Sequence, residues 1–505
     1  MNRIYSTSWQ YEFSAELSRV WEMVSNTDRM SYGTGMPPVT YKNVVLPLGG
    51  TQRIGSYRQV GITLVWDEHP YEWIENEFFS VERAYKTGPF TRMKLTWDFR
   101  PSAKGCVLVH RVEVESRFAF LLPITILFTH ASIRLPFMKY YRQVDQVLRA
   151  LKSVPFTPLS SPFTPEKKVA KRAADRLFTA EIDESLHPKF KDLLFKREEL
   201  DLIRIRPFVV AKEWNLDRDQ TLTAFLKTAH AGLFDLSWDI ICPSCKGAKS
   251  RTSTLAQVKK EVHCDACNIK FDAQFDRSIE LSFTPSPAIR KISASEYCAG
   301  SPQKTQHIVA QLRVQAGEER AFTVSLQNGN YLFRSLQAKR NYPLLIHVEQ
   351  DRCESIPLEF GARGEDEVLL GAQEGQIEFR IKNYLSDEMI LHLERDDYKQ
   401  DACTAAYVSC FQGFRDLFST EVLSEGVELS VASISILFTD LKDSTALYQK
   451  VGDARGFALV NDHLAVLKEC VRRNSGAVIK TIGDAVMASF LKPEDALMAA
   501  LNIRS

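Results

Sequence analysis

A chain of 505 residues with 45% hydrophobic and 25% charged side chains has length for about three or four domains, each with its own core. Its 64 Lys and Arg against 63 Asp and Glu leave a net charge of +1, which excludes a global field drawing it to nucleic acid or to an acidic membrane. The start, Met1-Asn2-Arg3-Ile4-Tyr5, lacks a signal-peptide pattern, and the longest uncharged run, Phe118 to Ile133, is short for a spanning helix and holds Pro123 and His130. A cytoplasmic protein without a transmembrane segment is the expectation.

Residues 1–153 alternate like a curved sheet closed by helices. Ser14 is placed to cap a helix with Leu17, Val20, Trp21 and Val24 on one face, and Met93, Leu95, Trp97 and Phe99 make the clearest period-two strand. A closing helix shows Tyr141, Val144, Val147, Leu148 and Leu151 on one side. One early helix, a meander of strands and a long last helix resemble the helix-grip domains of the START and polyketide-cyclase type. That resemblance implies an apolar cavity for a small hydrophobic ligand, and a filled core is the alternative. The uncharged run 118–133 reads first as core; a cavity lid or a membrane-touching loop are the other readings.

A proline-rich linker follows at 154–169, and 170–241 is helical. Within it Pro207 to Trp214 and Arg218 to Leu233 form two helices before a strand at 236–241, an order that resembles a winged helix. The second helix carries only Arg218, Lys227 and His230 against Asp217 and Asp219, thin charge for phosphate contacts, so the expected use is protein docking and not nucleic acid. In 242–285, Cys242-Pro243-Ser244-Cys245 and Cys264-Asp265-Ala266-Cys267 supply two thiolate knuckles. Cys242, Cys245, Cys264 and Cys267 together make the four-sulfur set that a structural Zn²⁺ prefers, a zinc ribbon.

Short alternating strands over 286–400 predict a small β-sandwich without an acid, base or nucleophile cluster. Over 401–430 one helix from Asp401 to about Phe418 carries Ala405, Val408, Cys410, Phe411, Phe414 and Leu417, an apolar stripe that suggests a dimer-forming connector.

Residues 431–505 read as strand, helix, helix, strand, strand, helix. Ile434, Ile436 and Phe438 alternate onto one strand face, with Asp440 at its end. Lys442 to Thr445 make a polar turn into a short helix, and a longer helix carries Val460, Leu464, Leu467 and Val471. Val478 to Ile482 and Ala485 to Phe490 pair around Gly483-Asp484. If the strands are neighbours, Asp440 and Asp484 meet at one edge as oxygen donors for two Mg²⁺ or Mn²⁺ ions. The backbone from Leu441 through Ser444 and Thr445 offers N–H groups to a polyphosphate. Read singly, Asp440 is equally a capping residue and Asp484 a turn former.

Phe438-Thr439-Asp440-Leu441 with Ser444-Thr445, and Lys480-Thr481-Ile482-Gly483-Asp484-Ala485, resemble the two metal motifs of the class III adenylate/guanylate cyclase catalytic domain. The resemblance implies that Asp440 and Asp484 bind the metal pair that activates the ribose 3′-hydroxyl and steadies the triphosphate. It implies that Lys480 reads adenine, where guanylate cyclases usually carry an acidic residue, so ATP is expected over GTP. It also implies a homodimer, the aspartates coming from one protomer and the lysine from the other. Ser505 ends the chain after a helix at 493–501, so on this resemblance less than half of such a domain is present, and the expectation is a fragment or a form that does not turn over alone.

The resulting fold class is multidomain α+β: a helix-grip START-like domain, a winged-helix-like segment with a zinc ribbon, a β-sandwich and a truncated ferredoxin-like class III cyclase domain. The functional expectation is a cytoplasmic signal-transducing lyase forming cyclic AMP. The alternatives are a nucleic-acid- or protein-binding regulator built on the winged helix and ribbon, and a carrier of a hydrophobic ligand.

Overall fold

Alternation along Phe90–Ser102 buries Met93, Leu95, Trp97 and Phe99 on one face of a sheet, as period two requires. The computed structural model describes residues 3–45, 51–59, 61–150, 163–243, 246–264, 269–275, 277–293, 297–298, 300–335, 337–338, 341–348, 350, 355–361, 369–395, 402–418 and 434–504. Two units divide the chain. The first draws on Met1–Ser161 and Ala294–Gln400, the second on Pro162–Cys264, Ile269–Ser293 and Asp401–Ser505.

The first unit opens with β1 (Ile4–Phe13), α1 (Leu17–Val24) and α2 (Thr27–Gly33). A meander follows: β2 (Thr40–Val45), β3 (Thr51–Gln59), β4 (Ile62–Glu68), β5 (Glu72–Ile74), β6 (Phe78–Tyr85), β7 (Phe90–Ser102) and β8 (Gly105–Ser116). The sheet runs β1-β8-β7-β6, and β6 pairs both with β4, leading to β3 and β2, and with β5. After β8 come α3 (Leu122–Phe128) and α4 (Leu135–Ala150). Phe137, Tyr140, Tyr141, Val144 and Leu148 of α4 are buried in one core with Trp9, Phe13 and Trp97, which is the helix-grip arrangement expected for 1–153. Trp97 Nε1 donates to the Tyr141 hydroxyl at 2.8 Å, and that hydroxyl lies 2.9 Å from His110 Nδ1, so these three side chains form one chain of contacts. Burial pushes the His110 pKa well down, leaving a neutral ring. Ser14 does not cap α1; its amide donates to Asp145 Oδ1 at 2.9 Å, fastening the chain ahead of the helix to α4.

The uncharged run departs from its core reading. Ala119–Ala150 is a helical stretch of 32 residues, long and apolar enough by length and composition to cross a membrane, so counting 118–133 alone understated it. Its second half is the packed α4. In the first half Phe120 is 76% and Leu127 68% exposed, while Thr125 and Thr129 face inward. The threonines satisfy themselves there: Thr125 Oγ1 lies 2.7 Å from Ser116 Oγ, and Thr129 Oγ1 donates to the Thr125 carbonyl at 2.8 Å.

The expected sandwich lies in the same unit but is not a separate sheet. Its strand Ile308–Val314 pairs with β5, Ala310 opposite Ile74 and Gln311 opposite Trp73, so one sheet passes from the helix-grip strands into the sandwich. A second sheet, in the order Glu319–Leu326, Gly375–Asn383, Ser355–Phe360, closes over it around Phe333, Phe379 and Leu391. A three-residue strand carries too little pattern to announce such a partner.

In the second unit Pro207–Trp214 and Arg218–His230 form the two expected helices. Asn215 turns left-handed between them, and the Asp217 carboxylate caps the second by accepting from the amides of Asp219 and Gln220 at 2.9 Å. Their sheet runs Ala248–Thr252, Phe234–Ile241, Ile279–Pro285. The last strand was expected in the ribbon at 242–285, yet it pairs with 234–241, so the cysteine-bearing stretch is an insertion between two paired strands. Asp239, fully buried, accepts from Arg204 Nε and Arg251 Nε at 2.7 Å and from Ser282 Oγ at 2.6 Å. Glu280 beside it meets Arg204 at 2.6 Å and Arg206 at 3.3 Å. Burial works against the Asp239 charge, but Arg204 first and then Arg251 and Ser282 outweigh it and hold the carboxyl below its ordinary pKa.

The connector also differs from expectation. It is two short helices, Ala405–Ser409 and Gln412–Leu417, broken at Cys410–Phe411. Ala405, Ala406, Val408 and Phe414 are buried in the core of their own unit with Phe225, Trp238 and Phe283, so this stripe is not open to a second copy. Residues 419–430 of the expected connector, like 154–162 of the linker, lie outside the described residues.

Two stability measurements test these cores. A methyl group at Gly55 would stand 2.4 Å from the Trp66 ring, so Gly55→Ala should cost about 1–3 kcal/mol in denaturant unfolding. Asp239→Asn removes a charge that two arginines need. Because the folded pKa lies below the unfolded one, the carboxylate's contribution is complete above about pH 4 and fades as pH falls toward the folded value. Melting curves across pH should therefore show wild type ahead of Asp239→Asn at neutral pH, with the gap closing in acid.

Candidate active site

The segment 434–504 folds as its pattern demands. Ser435–Thr439 pairs antiparallel with Ala485–Phe490, which pairs on its other side with Gly476–Ile482. Asp453–Arg473 packs Leu467 and Val471 against Val486, Ala488 and Phe490, and Ala499 of Pro493–Arg504 completes that core. Leu437 sits against it, whereas Ile436 and Phe438 point to the opposite face and are exposed, Phe438 by 65%. The alternation is as expected; Ile434 at the start of that face packs on the larger core of the unit, and Ile436 and Phe438 lie open.

The register sets the acidic residues. Thr439 is opposite Val486, so Asp440, one step further, comes level with the turn that holds Asp484. Gly483 in that turn is left-handed, φ 66°, as a tight hairpin requires. Thr439 Oγ1 accepts from the Val486 amide at 3.3 Å, stitching the two strands where they approach the aspartates. The two carboxylates thus lie at one end of adjacent strands. Asp440 is exposed, and Asp484 is half-buried with its Oδ2 sealed from solvent and without a hydrogen-bond partner. An orphaned carboxylate oxygen beside a second carboxylate fits a hard divalent cation.

Lys480 stands opposite Met487, just after an irregularity in register between Val478 and Lys480, and is exposed. Leu441 is half-buried, and Ser444 and Thr445 open the helix Ser444–Val451. Asp443, at the N-cap position, is left-handed, φ 57°, and its side chain makes no cap bond. The first amides of the helix are not capped by their own N-cap residue.

Of the four cysteines, Cys242 and Cys264 are buried, while Cys245 and Cys267 lie outside the described residues. Around Cys242 the chain folds tightly: its carbonyl accepts from the Lys246 amide at 2.9 Å, its amide donates to the Gly247 carbonyl at 3.1 Å, and Lys246 is left-handed.

One tie was invisible to sequence reading. Gln412 Oε1 of the connector accepts from the Val478 amide at 2.8 Å, so the strand that bears Lys480 is held by the connector, and Asp416 pairs with Lys468 at 2.6 Å. The connector is in turn bound to the sheet that holds Phe234–Ile241 and Ile279–Pro285, the Leu281 amide donating to the Cys403 carbonyl at 2.8 Å. The Tyr407 hydroxyl bonds Asp219 in the first turn of Arg218–His230. A cavity of 520 Å³ lies among these segments, bordered by Asp219, Tyr407, Gln412, Arg472 and Lys492. Four separated stretches of chain build it, so no local motif marks it.

Residues 171–307 match a family of unknown function, DUF5939. Among curated proteins, an adenylate cyclase of Lachancea kluyveri is 35% identical over 72 residues, which are 14% of this chain and 4% of that protein. The chain therefore spans a small part of the curated relative it matches. Solved structures include the Zhui aromatase/cyclase of Streptomyces sp. R1128, 11% identical over 30% of this chain and 99% of its own, with a TM-score of 0.24. The protein TTHA0849 of Thermus thermophilus is 16% identical over 30% of this chain and 100% of its own, with a TM-score of 0.22. Residues 428–504, a stretch that contains both aspartates, match the adenylate and guanylate cyclase catalytic domain.

Proposed function

We propose that the chain belongs to an adenylate cyclase that converts ATP to 3′,5′-cyclic AMP and pyrophosphate as a homodimer, under control of its N-terminal domains. The observation that supports this reading is that Asp440 follows and Asp484 precedes two adjacent strands at the same sheet end, inside the stretch that matches the cyclase catalytic domain, with Asp484 Oδ2 buried and unpartnered. Asp440 and Asp484 would hold Mg²⁺ or Mn²⁺, two ions per site. Such ions lower the barrier by activating the ribose 3′-hydroxyl and neutralising triphosphate charge.

The chain's own groups do the rest. The amides from Leu441 to Thr445 bind the polyphosphate at a helix start left without a side-chain cap. Lys480 donates to the adenine of a nucleotide held by the partner protomer. The exposed Ile436, Phe438 and Ile482, on the sheet that ends in the aspartates, favour a covering partner that excludes water from the reacting phosphate. Cys242, Cys245, Cys264 and Cys267 would hold a structural Zn²⁺ in the DUF5939-like stretch, with Cys242 already in a tight turn. Control runs through the bonds from the winged-helix sheet to the connector and on to the strand of Lys480.

The test is cyclic-nucleotide formation from ATP or GTP with Mn²⁺, measured on this chain and on one extended through the remainder of such a catalytic domain. Asp440→Ala and Asp484→Ala should each lower the metal-dependent rate by about 100-fold or more, and undiminished turnover would remove the metal assignment. Lys480→Glu should shift the kcat/KM ratio from ATP toward GTP by about tenfold, and an unchanged ratio would take the lysine out of base reading.

A further inference from the structure

The outer face of the helical stretch in the first unit carries six large apolar side chains that stand 40% or more exposed: Phe118, Phe120, Ile124, Ile126, Leu127 and Leu135. Phe118 and Phe120 stack on each other in the open, their ring centroids 5.4 Å apart. Thr125, the one polar side chain between Phe118 and Phe128, is buried and lies 2.7 Å from Ser116 Oγ. The outer face over those residues therefore presents no side-chain donor or acceptor, and the backbone of α3 is bonded within the helix. A continuous apolar patch of this kind on a water-facing surface marks a place that something covers.

Hydrogen-bonding capacity and charge together decide what that is. A protein partner is held by about one hydrogen bond per 100–200 Å² of interface, and the face from Phe118 to Phe128 has no side chain to make one. A bilayer asks for none, provided that the backbone is satisfied internally. From Arg117 to Val144 the chain has four Lys and Arg, namely Arg117, Arg134, Lys139 and Arg142, and no Asp or Glu. Arg117 is engaged inside the unit, donating to the carbonyls of Gly88, Tyr85 and Phe90 at 2.8, 2.9 and 3.0 Å, and so anchors the start of the stretch. Arg134, Lys139 and Arg142 are exposed, and none of them forms an ion pair among the described residues. The nearest acids in sequence on either side are already matched, Glu115 by Arg3 at 3.9 Å and Asp145 by Arg149 at 2.6 Å. On a chain whose net charge is only +1, this is a local positive field, placed beside the apolar patch.

We propose that this face docks the first unit onto an anionic lipid bilayer, with Phe118, Phe120, Ile124 and Leu127 entering the boundary of headgroups and acyl chains and Arg134, Lys139 and Arg142 among the anionic headgroups. Arg134 follows Leu127 by seven residues, about 10 Å along a helix, which is comparable to the depth of about 5–10 Å that an interfacial helix reaches. The stretch lies on the membrane and does not cross it. Phe137, Tyr140, Tyr141, Val144 and Leu148 in its second half are buried in the core of the unit, and a span would have to pull them out of it. The inference does not rest on the nucleotide chemistry proposed for Asp440 and Asp484, and its readout does not depend on cyclic-nucleotide formation.

The experiment sediments the full chain with vesicles of phosphatidylcholine alone and of phosphatidylcholine with about 30% phosphatidylserine, at low and at raised salt. The chain should bind the anionic vesicles about tenfold or more tighter than the neutral ones, and the difference should shrink as salt rises. Phe120→Gln combined with Leu127→Gln, and separately Arg134→Gln combined with Lys139→Gln and Arg142→Gln, should each weaken binding to the anionic vesicles about tenfold or more. All five side chains are exposed, so both variants should melt with the wild type, and lost binding is then not lost folding. No binding at millimolar lipid, equal binding to the neutral vesicles, or binding that the Phe120→Gln and Leu127→Gln pair leaves undiminished would each overturn the proposal. Self-association without lipid that the same pair abolishes would overturn it too, and would give the face to a second copy of the chain.

Discussion

A carboxylate sealed from water sets the terms for the second unit. Asp239 has no solvent to lean on, so it must keep two arginines and a serine in reach, and these come from the turn before Pro207, from Ala248–Thr252 and from Ile279–Pro285. Removing any one partner would strand charge in a medium that does not solvate it. The network therefore specifies which strands flank Phe234–Ile241, despite the long insertion between two of them. Glu280 continues it toward the connector, where Thr404 forms an isolated bridge with Glu280 itself.

From the connector the same logic of satisfied backbone groups reaches residues 434–504. Gly476–Ile482 is an edge strand with amides to spare, and Gln412 takes one of them. The central strand Ala485–Phe490 has no such freedom, being paired on both sides, and it brings the Asp484 turn up to the end of Ser435–Thr439. Position and chemistry are thus separable here. The hairpin and the register bring the carboxylates to one sheet end, and the unpaired Asp484 oxygen makes that end attractive to a cation.

How much of this was legible in the sequence depended on the range of the interaction. Local patterns were readable: the period-two burial of Met93 to Phe99, and the Gly483-Asp484 turn with the strands around it. Long-range pairings were not. Glu72–Ile74 is too short to carry a signal, yet it joins two supposed domains into one sheet. Ile279–Pro285 looked like the end of a ribbon because its partner lies across the whole insertion. In the connector, an apolar stripe at helical spacing was read as an interface, and the break at Cys410–Phe411 turned it into the core of its own unit. For the candidate site, Asp440, Asp484 and Lys480 could be named from spacing, but the Gln412 tie depends on a side chain sixty-six positions away from the amide it meets.

The helical stretch 119–150 contains one turn of another kind. From Thr129 to Arg134 the backbone is a π-helix, and the Leu135 amide bonds the His130 carbonyl five positions back. Such a turn holds one residue more than an α-turn, and each residue of an α-helix advances the direction of its side chain by about 100°. Before it, Phe120, Ile124 and Leu127 look outward; after it, Phe137, Tyr141 and Val144 look inward. The extra residue acts as a phase shifter between two apolar stripes that an uninterrupted helix would run together. Which greasy surface this unit shows to its surroundings, and which it keeps for itself, is therefore decided by the winding of a single turn.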